Sequence, residues 1–246
     1  MKTALCQISI FLCGVLPCLA QGDSSATSAR SAWFACTSIP DGVPDPIKVV
    51  TGKKITELSL PRYMASEAVR IPIDGLISVV REKPGIDPKK AAELGFGTGP
   101  AEFIVLAQAR VPENIREALI ILTPLEEPKD GLVFEAKIQN LANFKGGDRL
   151  YINQSNSPIR VSLGQTKVNI PPGEARIYEA PNLAKPTNMP IIYNVYDSET
   201  KRWKLFSAST VVLRPTRRQI SIFNTGSRPG NIKKHGILFP LEREEP

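Results

Sequence analysis

A chain of 246 residues, 42% hydrophobic and 22% charged, can bury a core for one or two domains and is neither disordered nor collagenous. Its 22 prolines exceed the usual share of about 5% and argue for short strands and many turns instead of long helices. One histidine excludes every mechanism that needs two, and four cysteines exclude a disulfide-dense scaffold.

The first twenty residues read as a signal peptide. Lys2 gives a positive start, Ile8 to Leu16 is apolar and uncharged, and Pro17 precedes the small residues Cys18 and Ala20 at a cleavage-type site. The apolar run is shorter than the roughly 20 residues of a membrane span, though an N-terminal anchor is the alternative reading. An exported product starting near Gln21 is therefore expected, periplasmic or extracellular, with no transmembrane segment. Cys36 would be its only cysteine, a packed thiol or the seat of an intermolecular disulfide.

Residues 21–36 read as a flexible leader that opens on small polar residues. Beyond it, three runs are continuous and apolar, Phe103 to Ala107, Ala118 to Leu122 and Pro190 to Tyr193, which suits strands buried on both faces or in a sandwich centre. Others alternate. Leu132, Phe134, Ala136 and Ile138 share a face, as do Ile159, Val161 and Leu163, and as do Trp203 and Leu205, which predicts a core tryptophan. Turn clusters at Lys129-Asp130-Gly131, Lys145-Gly146-Gly147-Asp148, Pro171-Pro172-Gly173 and Asp197-Ser198-Glu199-Thr200 separate the runs.

The fold class that follows is all-β, one or two immunoglobulin-like antiparallel β-sandwich modules. One short helix is expected inside a long loop at 82–100, capped by Asp87 with Pro88 at its first position and Gly95 past its end. No strict internal repeat is visible. The prolines and charges from Pro124 to Gly131 mark a boundary, giving modules at 37–127 and 128–246, although a hairpin within one larger sandwich carries the same signals.

No catalytic residue, metal ligand or cofactor motif emerges. Gly95 to Pro100 follows a helix where a phosphate-binding glycine loop would open one. His235 sits beside Lys234, surroundings that repel a metal ion. Asp74, Glu102 and Glu135 are generic carboxylates that could pair only in space. Asn153-Gln154-Ser155 is a glycosylation sequon or a turn asparagine.

Charge carries the clearest asymmetry. Residues 200–235 hold nine bases and no acid, while the formal net charge of the whole chain is +7. Arg202, Lys204, Arg214, Arg217, Arg218, Lys233 and Lys234 are the candidate anion-binding residues, because a basic face concentrates anions and arginine forks onto carboxylate or phosphate. The partner expected is an anionic envelope polymer or an envelope protein, not nucleic acid.

From Phe134 onward the chain resembles uncharacterised exported β-sandwich proteins of bacteria, through Phe144 to Asp148, Tyr151 to Ser155, Ile159 to Gly164 and Ile170 to Glu174, followed by Trp203 and Arg217-Arg218. The resemblance covers the C-terminal half, rests on turn and core signals, and implies a fold without an activity. In size, leader, basic balance and paired modules the chain is also similar to periplasmic pilus chaperones, as an analogy of architecture. The functional expectation is a non-catalytic binding or structural protein of the bacterial envelope; the alternatives are a secreted carboxylate-dependent hydrolase and a chaperone-like assembly factor.

Overall fold

The computed structural model describes residues 29–82, 103–129, 131–226 and 231–240. The expected signal peptide at 1–20, the helix at 87–94 and the glycine loop at 95–100 lie outside the described residues.

Sixteen strands and no helix occupy the described residues. The first eight are β1 (Ser31–Cys36), β2 (Ile47–Thr51), β3 (Lys54–Leu58), β4 (Val69–Arg70), β5 (Leu76–Glu82), β6 (Phe103–Arg110), β7 (Glu117–Lys129) and β8 (Leu132–Asn140). The second eight are β9 (Arg149–Asn153), β10 (Ile159–Leu163), β11 (Thr166–Ile170), β12 (Ala175–Tyr178), β13 (Thr187–Asp197), β14 (Arg202–Leu213), β15 (Arg217–Thr225) and β16 (Ile232–Pro240). The all-β expectation holds.

The strands form four sheets of four. Sheet I runs β4-β1-β7-β8, sheet II β3-β2-β5-β6, sheet III β12-β9-β15-β16 and sheet IV β11-β10-β13-β14. Adding eight to every strand number of sheets I and II reproduces sheets III and IV, so one topology is used twice. The repetition extends to detail. β1 runs parallel to β7 as β9 does to β15. The β5–β6 ladder slips its register at Val79/Val80, and the β13–β14 ladder slips at Tyr193/Asn194, the matching place.

Each sheet pair encloses a core. Phe34, Ile47, Leu106 and Ile120 fill the first sandwich, and Tyr151, Val161, Tyr193 and Phe223 the second. A third apolar cluster joins them. Leu119 and Ile121 on the outer face of sheet I pack with Leu150, Ile152, Ile220, Ile222, Ile237 and Phe239 of sheet III. The layers therefore stack II–I–III–IV, and burying each such aliphatic side chain contributes about 1.5–3 kcal/mol. This explains the continuous run Ala118 to Leu122. Its even members enter the first core and its odd members the seam. The runs at Phe103 and Pro190 are buried on one face only, with Val105 and Ile192 exposed.

Two expected boundaries move. Position 127/128 falls in the β7–β8 hairpin, whose strands pair as far as Ala118 with Asn140, and Phe134 belongs to the first core. The chain passes to the second sandwich after Asn140, where Leu141 and Phe144 enter the seam. The prolines and charges at 124–129 mark a solvated hairpin end instead. Residues 31–36 leave the segment expected at 21–36, since β1 starts at Ser31 and its apolar side chains, Phe34 among them, are core.

Local chemistry fits the turns. Asn153 is fully buried, and its Nδ2 donates to the carbonyls of Ser157 (2.8 Å) and Ile170 (2.9 Å), so it braces a turn and presents no amide to a glycan. Cys36 is 5% exposed, its thiol donates to the Ser38 carbonyl, and burial pushes its pKa up to about 11. An intermolecular disulfide would need that thiol pulled from the core.

Candidate functional site

Of the seven bases singled out, Arg214, Arg217 and Arg218 gather at one place. They line a recess of about 240 Å³ at the end of the second sandwich, with Asp148, Arg149, Leu213 and Gln219 among the other walls. The β9 and β15 strands build it. Arg149 lies opposite Gln219 in the parallel ladder, and both belong to the face that carries Tyr151 into the core.

The loop before β9 is fixed by Asp148. Its Oδ2 accepts from the Lys145 N–H and its Oδ1 from the Ala180 N–H, each at 2.8 Å. Gly147 takes φ +89°, which strains any other residue, donates its N–H to the Arg217 carbonyl, and would bring a Cβ to 2.7 Å from Leu183 Cδ1. Arg149 is thereby placed at 2% exposure, with its Nε lacking a hydrogen-bond partner among the described residues. Its charge acts on the neighbouring Tyr151, whose hydroxyl is nevertheless pushed well above the ordinary phenol value by burial. The Tyr193 hydroxyl is also buried without a partner. A buried cation beside exposed Arg214 and Arg217 favours an anion, because charge-assisted bonds to arginine are the strong ones.

Arg218 does something else. It is 8% exposed, points into the seam, donates Nη1 to the Phe144 carbonyl (3.0 Å) and stacks on Phe239 at 4.2 Å. Glu117 lies 3.9 Å from it. It is a structural cation whose backbone merely borders the recess. Arg217 and Arg218 are adjacent in β15, so alternation sends them to opposite faces.

The remaining four bases lie at the other end. Arg202 opens β14, and twelve residues of strand put it about 36 Å from Leu213. Lys204 is ion-paired with Asp197, whose carboxyl is held well below the usual range first by that lysine. Lys233 and Lys234 start β16, opposite the end of β15 that is remote from Arg217. Lys234 reaches back over the Tyr193 ring at 4.5 Å. A single cationic face across residues 200–235 is thus not what the fold builds.

Trp203 is not core. It lies half-buried on the outer face of sheet IV, edge-on to Tyr196 at 5.3 Å, with the Arg160 guanidinium 3.9 Å from its ring centroid. Leu205, on the same face, is 66% exposed. The register slip turns Phe206 inward against Tyr193 in their stead.

Of the generic carboxylates, Asp74 accepts from the Leu76 N–H and Glu135 pairs with Lys137, in separate parts of the first sandwich; Glu102 lies outside the described residues. Among the described residues no three His, Cys, Asp or Glu side chains gather as a metal site. His235 stacks on Tyr63 at 6.2 Å, and burial lowers its pKa.

Arg149 was missed in the sequence. The available signal was one arginine heading the apolar strand Leu150-Tyr151-Ile152, where a charge needs a reason to be buried. No protein family matches the sequence, and no curated protein is found to be similar to it.

Proposed function

We propose that the chain is an exported, non-catalytic binding protein of the bacterial envelope, and that the second sandwich takes an anionic group of its partner at the Arg149 recess. The gathering of buried Arg149 with exposed Arg214 and Arg217 around one recess carries this reading. The recess is the size of one phosphate or one carboxylate-bearing sugar, not of a polymer segment, so the rest of a chain would run outside it. Rigid placement supports binding without further chemistry. Asp148 and Gly147 lock the loop, and the strand ladder fixes Arg149 against Gln219.

Titration calorimetry with glycerol 3-phosphate and with galacturonate tests it. Saturable binding of at least one probe is expected, weakening as salt rises. Arg217→Gln should weaken it about tenfold or more, a loss of about 1.4 kcal/mol. Arg202→Gln, at the far end, should leave it unchanged. Binding of neither probe, or equal binding in all three proteins, overturns the recess as the site.

A further inference from the structure

Among the described residues, sheet IV ends in a strand whose last nine residues lack the protection found on the other sheet edges. β14 runs for twelve residues, and from Leu205 to Leu213 it contains no charge, no proline and no glycine. Exposed edges are normally shortened, charged or covered, because bare backbone pairs with other chains. The other edges obey this. β4 and β12 have two and four residues. β3 and β11 have five each and carry Lys54 and Lys167. β6 and β8 lie along one another at a corner of the first sandwich. β16 bears Lys233 and Lys234, and its Leu238 is bonded by the segment at Tyr63 and Ala65 (2.9 and 3.3 Å).

β14 and β16 are the counterparts of β6 and β8, yet they do not run along one another. Among the described residues the β14 backbone pairs only with β13. Its open groups can be assigned. The Pro190 carbonyl accepts from the Gly164 N–H on the β10 side, so the alternate residue Ile191 faces β14, opposite Ser209. Ala208, Thr210 and Val212 then turn their N–H and C=O groups outward, and all three are exposed.

We propose that β14 captures an extended polypeptide by strand addition, the partner being an uncharged stretch of about nine residues with acidic residues at its ends. The uncharged stretch matches Leu205 to Leu213. The acidic ends match Arg202 before it and Arg214 after it, both exposed. A second copy of this chain fits worse. Pairing two β14 strands antiparallel about Ala208 would set Arg202 of each against Arg214 of the other, like charge on like.

The probe is a synthetic peptide of alternating Thr and Val over about nine residues, with two Asp at each end, acetylated and amidated so that it carries no terminal carboxylate. Fluorescence anisotropy should show saturable binding to the wild-type chain. Thr210→Pro removes one outward N–H and no bond to β13, and should weaken binding about tenfold or more with the melting temperature retained. Methylating one alternate set of the peptide's core amides should abolish binding and methylating the other set should not, a result that needs no protein variant. A peptide with Asn in place of every Asp should still bind, more weakly, and glycerol 3-phosphate, which shares Arg214 with the acidic peptide, should not displace it, which keeps this outcome separate from the fate of the recess. Equal tolerance of both methylated peptides, or no binding at all, overturns the proposal. A wild-type dimer in sedimentation velocity that Thr210→Pro dissolves and the peptide does not compete away would give the edge to a second copy and overturn it as well.

Discussion

The two sandwiches share every strand and the register slip in the outer-sheet hairpins β5–β6 and β13–β14, and differ at the positions where one has been given polar chemistry. Ala32 on β1 corresponds to Arg149 on β9, and Ala118 on β7 to Gln219 on β15, by their places in the matching parallel ladders. Phe34 corresponds to Tyr151 in the same way. The end that the first sandwich seals with alanine is the end where the second opens a recess. On the outer sheets, Lys48 pairs with Glu57 and Glu82, while its counterpart Arg160 meets Asn169 and Trp203. A fixed topology therefore tolerates an ion-pair cluster or an arginine–aromatic cluster at one site. What it conserves is the register, because a slip of one residue would exchange core and solvent faces.

Breaking the more apolar twin should have the largest effect. Phe34→Ala is expected to cost about 3–5 kcal/mol in chemical denaturation, as for other buried aromatics. A loss below 1 kcal/mol would show that the first core repacks freely. Next comes the seam. Arg218→Met keeps the stem but removes the bond to Phe144 and the charge over Phe239, and should cost about 2–3 kcal/mol. Glu117→Gln, at the exposed partner, should cost well under half of that. If the two changes cost the same, the ion pair and not the stacking holds Arg218.

Trp203→Ala should cost only about 1–2 kcal/mol, because the ring is half-buried on an outer face. A larger loss would return it to the core. The smallest effect concerns His235, where the sandwiches meet at Tyr63. Burial holds the imidazole pKa below its ordinary value, against the bond to the Arg62 carbonyl, and the Arg62 charge adds to the lowering. The unfolded chain then takes up a proton that the folded chain refuses, so stability falls as pH drops below about 6.5. Melting temperatures of His235→Gln should decline less over that range than those of the wild type. Parallel curves would remove His235 as the cause.

The all-β class and the strand positions were legible because period-two patterns and turn residues are local properties. Ala118 to Leu122 announced a strand buried twice, and that strand is the middle of the stack. The duplication was not legible. Corresponding positions such as Ala32 and Arg149, or Glu57 and Asn169, share a place in a ladder and no chemistry, so nothing repeats along the sequence. The basic stretch misled for a related reason. Arg202 and Arg214 are close in sequence, yet a straight strand separates them, whereas Arg149 and Arg217 meet through a ladder joining distant segments. The half-burial of Trp203 followed from β14 being an edge with a wet outer face, a fact of sheet order that alternation does not contain.

Glu117 and Arg218 hold the same place in their respective ladders, opposite Ser31 and one residue before Gln219, and they face each other across the seam. Equivalent positions can meet only near an approximate twofold axis. In a dimer of identical chains such a position confronts itself, and any charge there meets its own sign. Acid against base at that spot is open only to halves that are covalently joined and free to differ. The contact thus marks the two sandwiches as a committed pair. Neither half, expressed alone, should dimerise through this face as the intact chain folds upon itself.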